Sequence, residues 1–279
     1  NCAARVGDWG RLDDFRKDNV DALRLLLDAA SLAGVRRFVQ ISSLGVYEAR
    51  DHYGTDESVL PAVDSLDAYT RSKTEAEILV LAYAASAGHP REMIPGAVNG
   101  AIYGSRAVFL PYVSEQLAAS PVGPGNRLRE AVVLRPGFIY GMRDRTVLPK
   151  LMSALRRGQF AFFGDGQQSM NAVHAGNLVG AVFLALEKPA AVSQVFNITD
   201  GGVVTKMDFV AEVAAAMGLP VPKRSIPLGL ARILSNLVHE IAAWAGAERP
   251  PLINKARFKF LGLHLDYSIE KARQVLGYD

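Results

Sequence analysis

The stretch DAYTRSKTEAE, Asp67–Glu77, sets a tyrosine and a lysine four residues apart, Tyr69 and Lys73, just after a polar loop. Read as the start of a helix, that spacing puts both side chains on one face, one turn apart. A free phenol has a pKa of about 10, too high for a base at neutral pH, and a neighbouring ammonium lowers it. The pair is then expected to act as an acid/base that moves a hydroxyl proton. The plainer alternative is an exposed Tyr and Lys on an amphipathic helix.

Upstream, VRRFVQISSLGVY (Val35–Tyr47) reads as a buried strand that breaks into a turn at Ser42-Ser43. A serine at the carboxyl end of a parallel strand lies where such sheets keep their chemistry. The Ser43 hydroxyl is therefore a candidate to hold a substrate oxygen beside the phenol, against the bland reading of a Ser-Ser turn. Still earlier, DNVDALRLLLDAASLAG (Asp18–Gly34) carries apolar residues at helical spacing and ends on a stop glycine. Downstream, AVVLRPGFIYG (Ala131–Gly141) is another apolar strand, stopped at Pro136-Gly137. Helix, strand, helix, strand in that order predicts an α/β protein with a parallel sheet. The segment 48–67, dense in Asp, Ser, Gly and Pro, reads as a loop.

The second half predicts a short helix over 146–159, a strand-turn over 160–168, a helix over 177–189 and a strand into a turn over 193–201. TKMDFVAEVAAAMG (Thr205–Gly218) opens close to a capping box, with Asp208 three residues after Thr205. Another short capped helix is expected over 266–278. IPLGLARILSNLVHEIAAWAG (Ile226–Gly246) fits core packing, favoured here over a surface that meets lipid or membrane. The segment 89–130 is long for a helix-to-strand link and reads as an insertion.

Composition narrows the field. The 279 residues are 49% hydrophobic and 21% charged, with a formal net charge of +3, ordinary for a globular chain able to bury a core. No basic run suggests nucleic acid. The one cysteine, Cys2, excludes an intramolecular disulfide and a thiolate metal cluster, and suits a reducing, cytoplasmic setting. No uncharged apolar run of about 18 residues predicts a spanning helix. The start, NCAARVGDWG, has neither the features of a signal peptide nor an initiator Met, so the chain is expected to begin part-way through a longer sequence.

Taken in order, these segments resemble the extended short-chain dehydrogenase/reductases, the NAD-dependent epimerase/dehydratase group. CAA (Cys2–Ala4) resembles the end of that family's fourth strand, and Asn19 in KDNVDAL stands where the family has an asparagine on the next helix. VRRFVQISSLGVY matches the segment with the active-site serine, DAYTRSKTEAE the Tyr–Lys pair, and VLRPGFIYG the strand-turn beside the nicotinamide. NAVHAGNLVGAVFLALE, QVFNITDGG and SIEKARQVLGY continue the pattern. CAARVGDWG and LRPGFIYGMRDRTVLPKL look most like the 3β-hydroxysteroid dehydrogenase-like branch.

The resemblance implies a Rossmann-like, doubly wound parallel sheet lacking its first strands, with a smaller C-terminal substrate-binding region. Residues 1–149 would form a partial NAD(P)-binding domain and 150–279 the substrate region, with 171–199 returning to the first. It implies hydride transfer between a carbinol carbon and NAD or NADP, on a sterol-like or sugar-like substrate. Ser43, Tyr69, Lys73 and Asn19 would be catalytic. Ala3, Ala4, Ile41, Ser42, Tyr69, Lys73, Pro136 and Phe138 would touch the cofactor. Val6, Leu44, Gly45, Asn171 and His174 would face the substrate, with His174 equally readable as a structural residue opening a helix. No metal is implied. A homodimer built by packing the Tyr/Lys helix and its neighbour into a four-helix bundle is expected. A nucleotide-sugar epimerase or dehydratase would use the same triad, and a non-catalytic relative is the rival from another class. The family's G-x-x-G-x-x-G phosphate turn is absent from these 279 residues.

Overall fold

The computed structural model describes residues 1–7, 9–65, 67–87, 110–145, 147–247, 251 and 253–279. Its helices are α1 (Leu12–Arg16), α2 (Ala22–Leu32), α3 (Ala68–Ala85), α4 (Pro111–Ala119), α5 (Leu148–Arg156), α6 (Ala175–Glu187), α7 (Lys206–Ala216), α8 (Leu228–Trp244) and α9 (Lys255–Gly262). The strands are β1 (Arg37–Ile41), β2 (His52–Thr55), β3 (Glu130–Pro136), β4 (Phe138–Tyr140), β5 (Phe162–Phe163), β6 (Ser169–Met170), β7 (Ala172–His174), β8 (Gln194–Ile198), β9 (Val204–Thr205), β10 (Ser225–Ile226) and β11 (Leu265–Tyr267).

The main sheet is parallel, in the order β1-β3-β8, with Ile41 opposite Leu134 and Leu134 opposite Phe196. Side chains alternate across it with period two. Phe38, Ala131, Val133 and Val195 face a core shared with α2, α3 and α4. Val39, Val132, Leu134, Phe196 and Ile198 face the opposite core, shared with α6 and the C-terminal turn Ala272–Leu276. Helices thus cover both faces, which is why these strands read as continuous apolar runs. Beyond β1, Asn1 donates its N–H to Val39 O (2.6 Å) and accepts from Ile41 N (3.0 Å), the pattern of one parallel bridge.

Helix α3 is buried on every side: Thr70 and Ser72 through Ala84 are all inside. One side faces the sheet, and α4 covers another, with Val113 and Leu117 in the same core. Tyr112 donates to Asp21 Oδ1 (2.5 Å), and Arg127 reaches Ser86 Oγ (2.7 Å) and Leu117 O (2.9 Å). The latter part of the expected insertion is therefore core structure; residues 88–109 lie outside the described residues.

Two expectations are corrected. The loop 48–67 contains β2, which pairs in parallel with β11 more than two hundred residues later; a four-residue strand made by a distant partner has no local periodicity to read. Helix α8 is not plain core. It turns Ala231 and Ser235 inward, while Leu230 (49% exposed), Ile233 (63%), Leu237 (54%), Ile241 (55%) and Trp244 (90%) face outward. The capping box at Thr205 and Asp208 is present, with both reciprocal bonds formed. No helix among the described residues is long and apolar enough to cross a membrane.

Candidate active site

The carboxyl ends of β1 and β3 meet at one edge, where Ser42 N donates to Leu134 O (2.7 Å). There the chain leaves β1 through Ser43, in extended conformation, and enters a single 3-10 turn, Leu44–Val46. Ser43 caps that turn: its Oγ accepts from Gly45 N at 3.0 Å. Helix α3 starts beside it, capped by Asp67, whose Oδ2 accepts from Thr70 N at 2.8 Å. Tyr69 in the first turn faces the Ser43 hydroxyl. A Cβ placed on Gly45 would lie 3.1 Å from Ser43 Oγ and 3.8 Å from Tyr69 Cε1, so glycine there keeps the two groups together.

Lys73 lies one turn further along α3, 4% exposed, and donates from Nζ to Ile41 O at 2.7 Å. Burial lowers its pKa to about 8, against the opposing pull of Glu77. The expected depression of the Tyr69 pKa by Lys73 is corrected. Burial raises the phenol, and the Ser43 hydroxyl offsets part of that rise. The ammonium is turned to the strand carbonyl, and desolvation of the phenolate dominates.

Asn19 sits on a π-helical turn, Lys17–Asp21, between α1 and α2. Its Oδ1 accepts from Arg5 N (2.6 Å) and its Nδ2 donates to Arg5 O (3.1 Å) and Ser72 Oγ (2.9 Å). It clamps the segment carrying Ala3, Ala4 and Val6 onto α3. Ala3 and Val6 are exposed and Ala4 is half-buried. Ser42 points away from this edge, its hydroxyl donating to Glu77 Oε2 at 2.7 Å and so turned from any ligand there.

On the neighbouring strands, Pro136 ends β3 and Gly137 passes close to Asn171, just ahead of β7: a Cβ there would lie 2.0 Å from Asn171 O. Phe138 N donates to that same oxygen at 2.6 Å. Among the described residues, Asn171 Oδ1 is buried and meets no hydrogen-bond partner. Leu44, expected at the substrate, is buried away from this edge, and His174 takes the helix-opening role that is its other reading. Leu44 is 1% exposed and packs with Val46, Tyr47 and Phe258, because the 3-10 turn rolls residues 44 and 46 inward and leaves Gly45 toward Tyr69. His174 opens α6, its Nδ1 accepting from Gly176 N at 3.2 Å and its backbone N–H donating to Asp200 Oδ1 at 2.8 Å.

Beneath the site lies a polar network that motif reading missed. Arg135 and Glu77, both fully buried, form a multiply hydrogen-bonded ion pair. Arg135 Nη1 also donates to the Tyr47 hydroxyl (2.7 Å), which donates to Asn197 Oδ1 (3.0 Å). The signal was present in AVVLRPG: an arginine inside a run destined for the sheet centre requires a buried partner.

Acid/base side chains grouped at the carboxyl edge of a doubly wound parallel sheet define a class, the nucleotide-dependent α/β enzymes. The comparisons sharpen this. The profile of the NAD dependent epimerase/dehydratase family matches residues 1–130 and 125–199, and the chain belongs to that family. It is 31% identical over 170 residues to human short-chain dehydrogenase/reductase family 42E member 1, covering 57% of this chain and 43% of that protein. It is 30% identical over 166 residues to the 4-hydroxy-2-methyl-3-oxo-4-farnesyl-3,4-dihydroquinoline-1-oxide ketoreductase of Stigmatella aurantiaca, covering 59% of this chain and 48% of that one. The chain thus matches rather less than half the length of these relatives. Among solved structures it superposes on MoeE5 in complex with UDP-glucuronic acid and NAD, with a TM-score of 0.60, 22% identity, and coverage of 99% of this chain and 71% of that one.

Proposed function

We propose that the protein is an NAD(P)-dependent oxidoreductase that interconverts a secondary alcohol and a ketone on an apolar small molecule. The observation that carries this reading is Ser43 facing Tyr69 across Gly45, with the buried Lys73 one turn behind. The residues present suit the nicotinamide-ribose half of such a cofactor. Among the described residues Lys73 makes one hydrogen bond, to Ile41 O, though an ammonium carries three donors. Gly137 and Asn171 Oδ1, which meets no partner among the described residues, border the same edge. The glycine turn that would cradle the pyrophosphate is not among these residues.

When bound, NAD(P) would supply hydride chemistry at this edge. Ser43 holds the substrate oxygen by a hydrogen bond. Tyr69, kept protonated at neutral pH by burial, gives its proton to the oxygen of a ketone, and takes one back in the oxidative direction. Lys73 fixes Ile41 and would hold the ribose hydroxyls of the cofactor. Asn19 positions α3 through Ser72. An apolar substrate is favoured by the farnesylated molecule in the name of the Stigmatella relative. The test is Tyr69→Phe in the protein expressed from its gene, assayed with NAD(P)H and apolar ketones. Turnover should fall by roughly 100-fold or more; unchanged turnover refutes the role. An epimerase or dehydratase would instead retain NAD through turnover, and cofactor released on denaturing the purified protein would favour that reading.

A further inference from the structure

Lys259 bears on this site from near the other end of the chain. It lies on α9, and its Nζ donates to Gly45 O at 2.7 Å and Tyr47 O at 2.9 Å. The Gly45 carbonyl takes a second donor, Thr70 Oγ1, at 3.1 Å. Thr70 directly follows Tyr69, and the Gly45 amide is the group that holds Ser43 Oγ. One carbonyl therefore joins α9, the first turn of α3 and the serine loop. From the other side Lys73 grips Ile41 O, so the loop 41–47 is bracketed by two lysine ammoniums.

A buried ammonium bonded only to neutral carbonyls is costly to bring out of water. Asp67 is the carboxylate that offsets this burial. In return the charge-assisted bonds are shorter and stiffer than neutral ones, which suits a loop whose geometry must be held closely.

We propose that Lys259 is a positioning residue for the reaction proposed above: it pins the serine loop against Tyr69 and makes the C-terminal helix α9 part of the active site. The proposal rests on that functional reading. Lys206 is the internal control, a buried ammonium that likewise bonds two carbonyls, Ser169 O and Leu263 O, neither of them in the serine loop.

The experiment compares Lys259→Met, Lys259→Arg, Lys206→Met and Tyr69→Phe in the protein expressed from its gene. Four quantities are read: kcat, KM for the cofactor, thermal midpoint, and amide exchange at residues 45–47. Lys259→Met should lower kcat on the order of 10- to 100-fold, because small misplacements near reacting atoms are expensive. Cofactor KM should stay within about twofold, as a loss confined to the chemical step requires. Exchange at 45–47 should quicken, and Lys259→Arg should recover part of kcat. Lys206→Met should lower the midpoint and leave kcat alone. If Lys259→Met does not fold, Lys259→Gln takes its place with the same readings. A Lys259 variant that loses midpoint as Lys206→Met does but keeps kcat overturns the proposal. With Tyr69→Phe inactive, that result leaves the functional reading standing; turnover that survives Tyr69→Phe removes both.

Discussion

At the residue scale, the site rests on one buried ion pair. Glu77 takes Arg135 and the Ser42 hydroxyl, and Arg135 takes Tyr47, so the strand end before Ser43 is tied to the helix that presents Tyr69. Glu77→Gln removes the carboxylate that Arg135 bonds while the guanidinium stays fully buried. Removing one member of such a pair costs about 3–5 kcal/mol, whereas replacing both with apolar residues of similar volume is often neutral or stabilising. Urea unfolding of Glu77→Gln should show that loss, and the double variant Glu77→Leu with Arg135→Met should recover most of it. Equal losses in the single and double variants would mean that the pair is held by its surroundings rather than by its charges.

At the element scale, α3 and α8 are opposites. Leu79 on α3 is fully buried, while Leu237 on α8 is 54% exposed. Leu79→Ala should cost about 2–5 kcal/mol. Leu237→Glu should shift stability by no more than about 0.5 kcal/mol, since exposed positions contribute little. Paired denaturant titrations check the contrast; a large loss at Leu237 would show that the outward stripe is covered in solution. The Tyr/Lys spacing was legible because it is local, and the same holds for the capping box at Thr205. Which side of α8 faces inward was not legible. Its apolar stripe marks an amphipathic helix, and only the packing of α9 against it shows that the small residues occupy the inside.

At the scale of the whole molecule, three buried lysines set the response to pH. Burial lowers Lys73 and Lys259 from 10.5 to about 8 and Lys206 to about 7. As pH rises from about 7 toward 10.5, the folded chain releases these protons while the unfolded chain keeps them. Stability should therefore rise across that window, by at most about 1.4 kcal/mol per pH unit for each lysine. Above about pH 10.5 the sign reverses. Tyr278 is raised to about 12, and Tyr112 and Tyr267 are raised further, by burial, so the unfolded chain loses protons first and stability falls. Denaturation midpoints measured from pH 7 to 11 should rise and then drop; a monotonic fall from pH 7 would show that the lysines are hydrated.

The sequence by itself determined the α/β class, the helix holding Tyr69 and Lys73, the strand leading to Ser43 and the close turn at Pro136-Gly137. Each is written in neighbours a few residues apart, where helical or strand periodicity and backbone chemistry suffice. Only the tertiary structure decided that Leu44 and His174 serve packing and capping, that Lys73 turns to Ile41 O, that α4 closes over α3, and that Lys259 grips the serine loop. Those outcomes depend on which groups lose water together, and burial is set by residues far apart along the chain that no local pattern names.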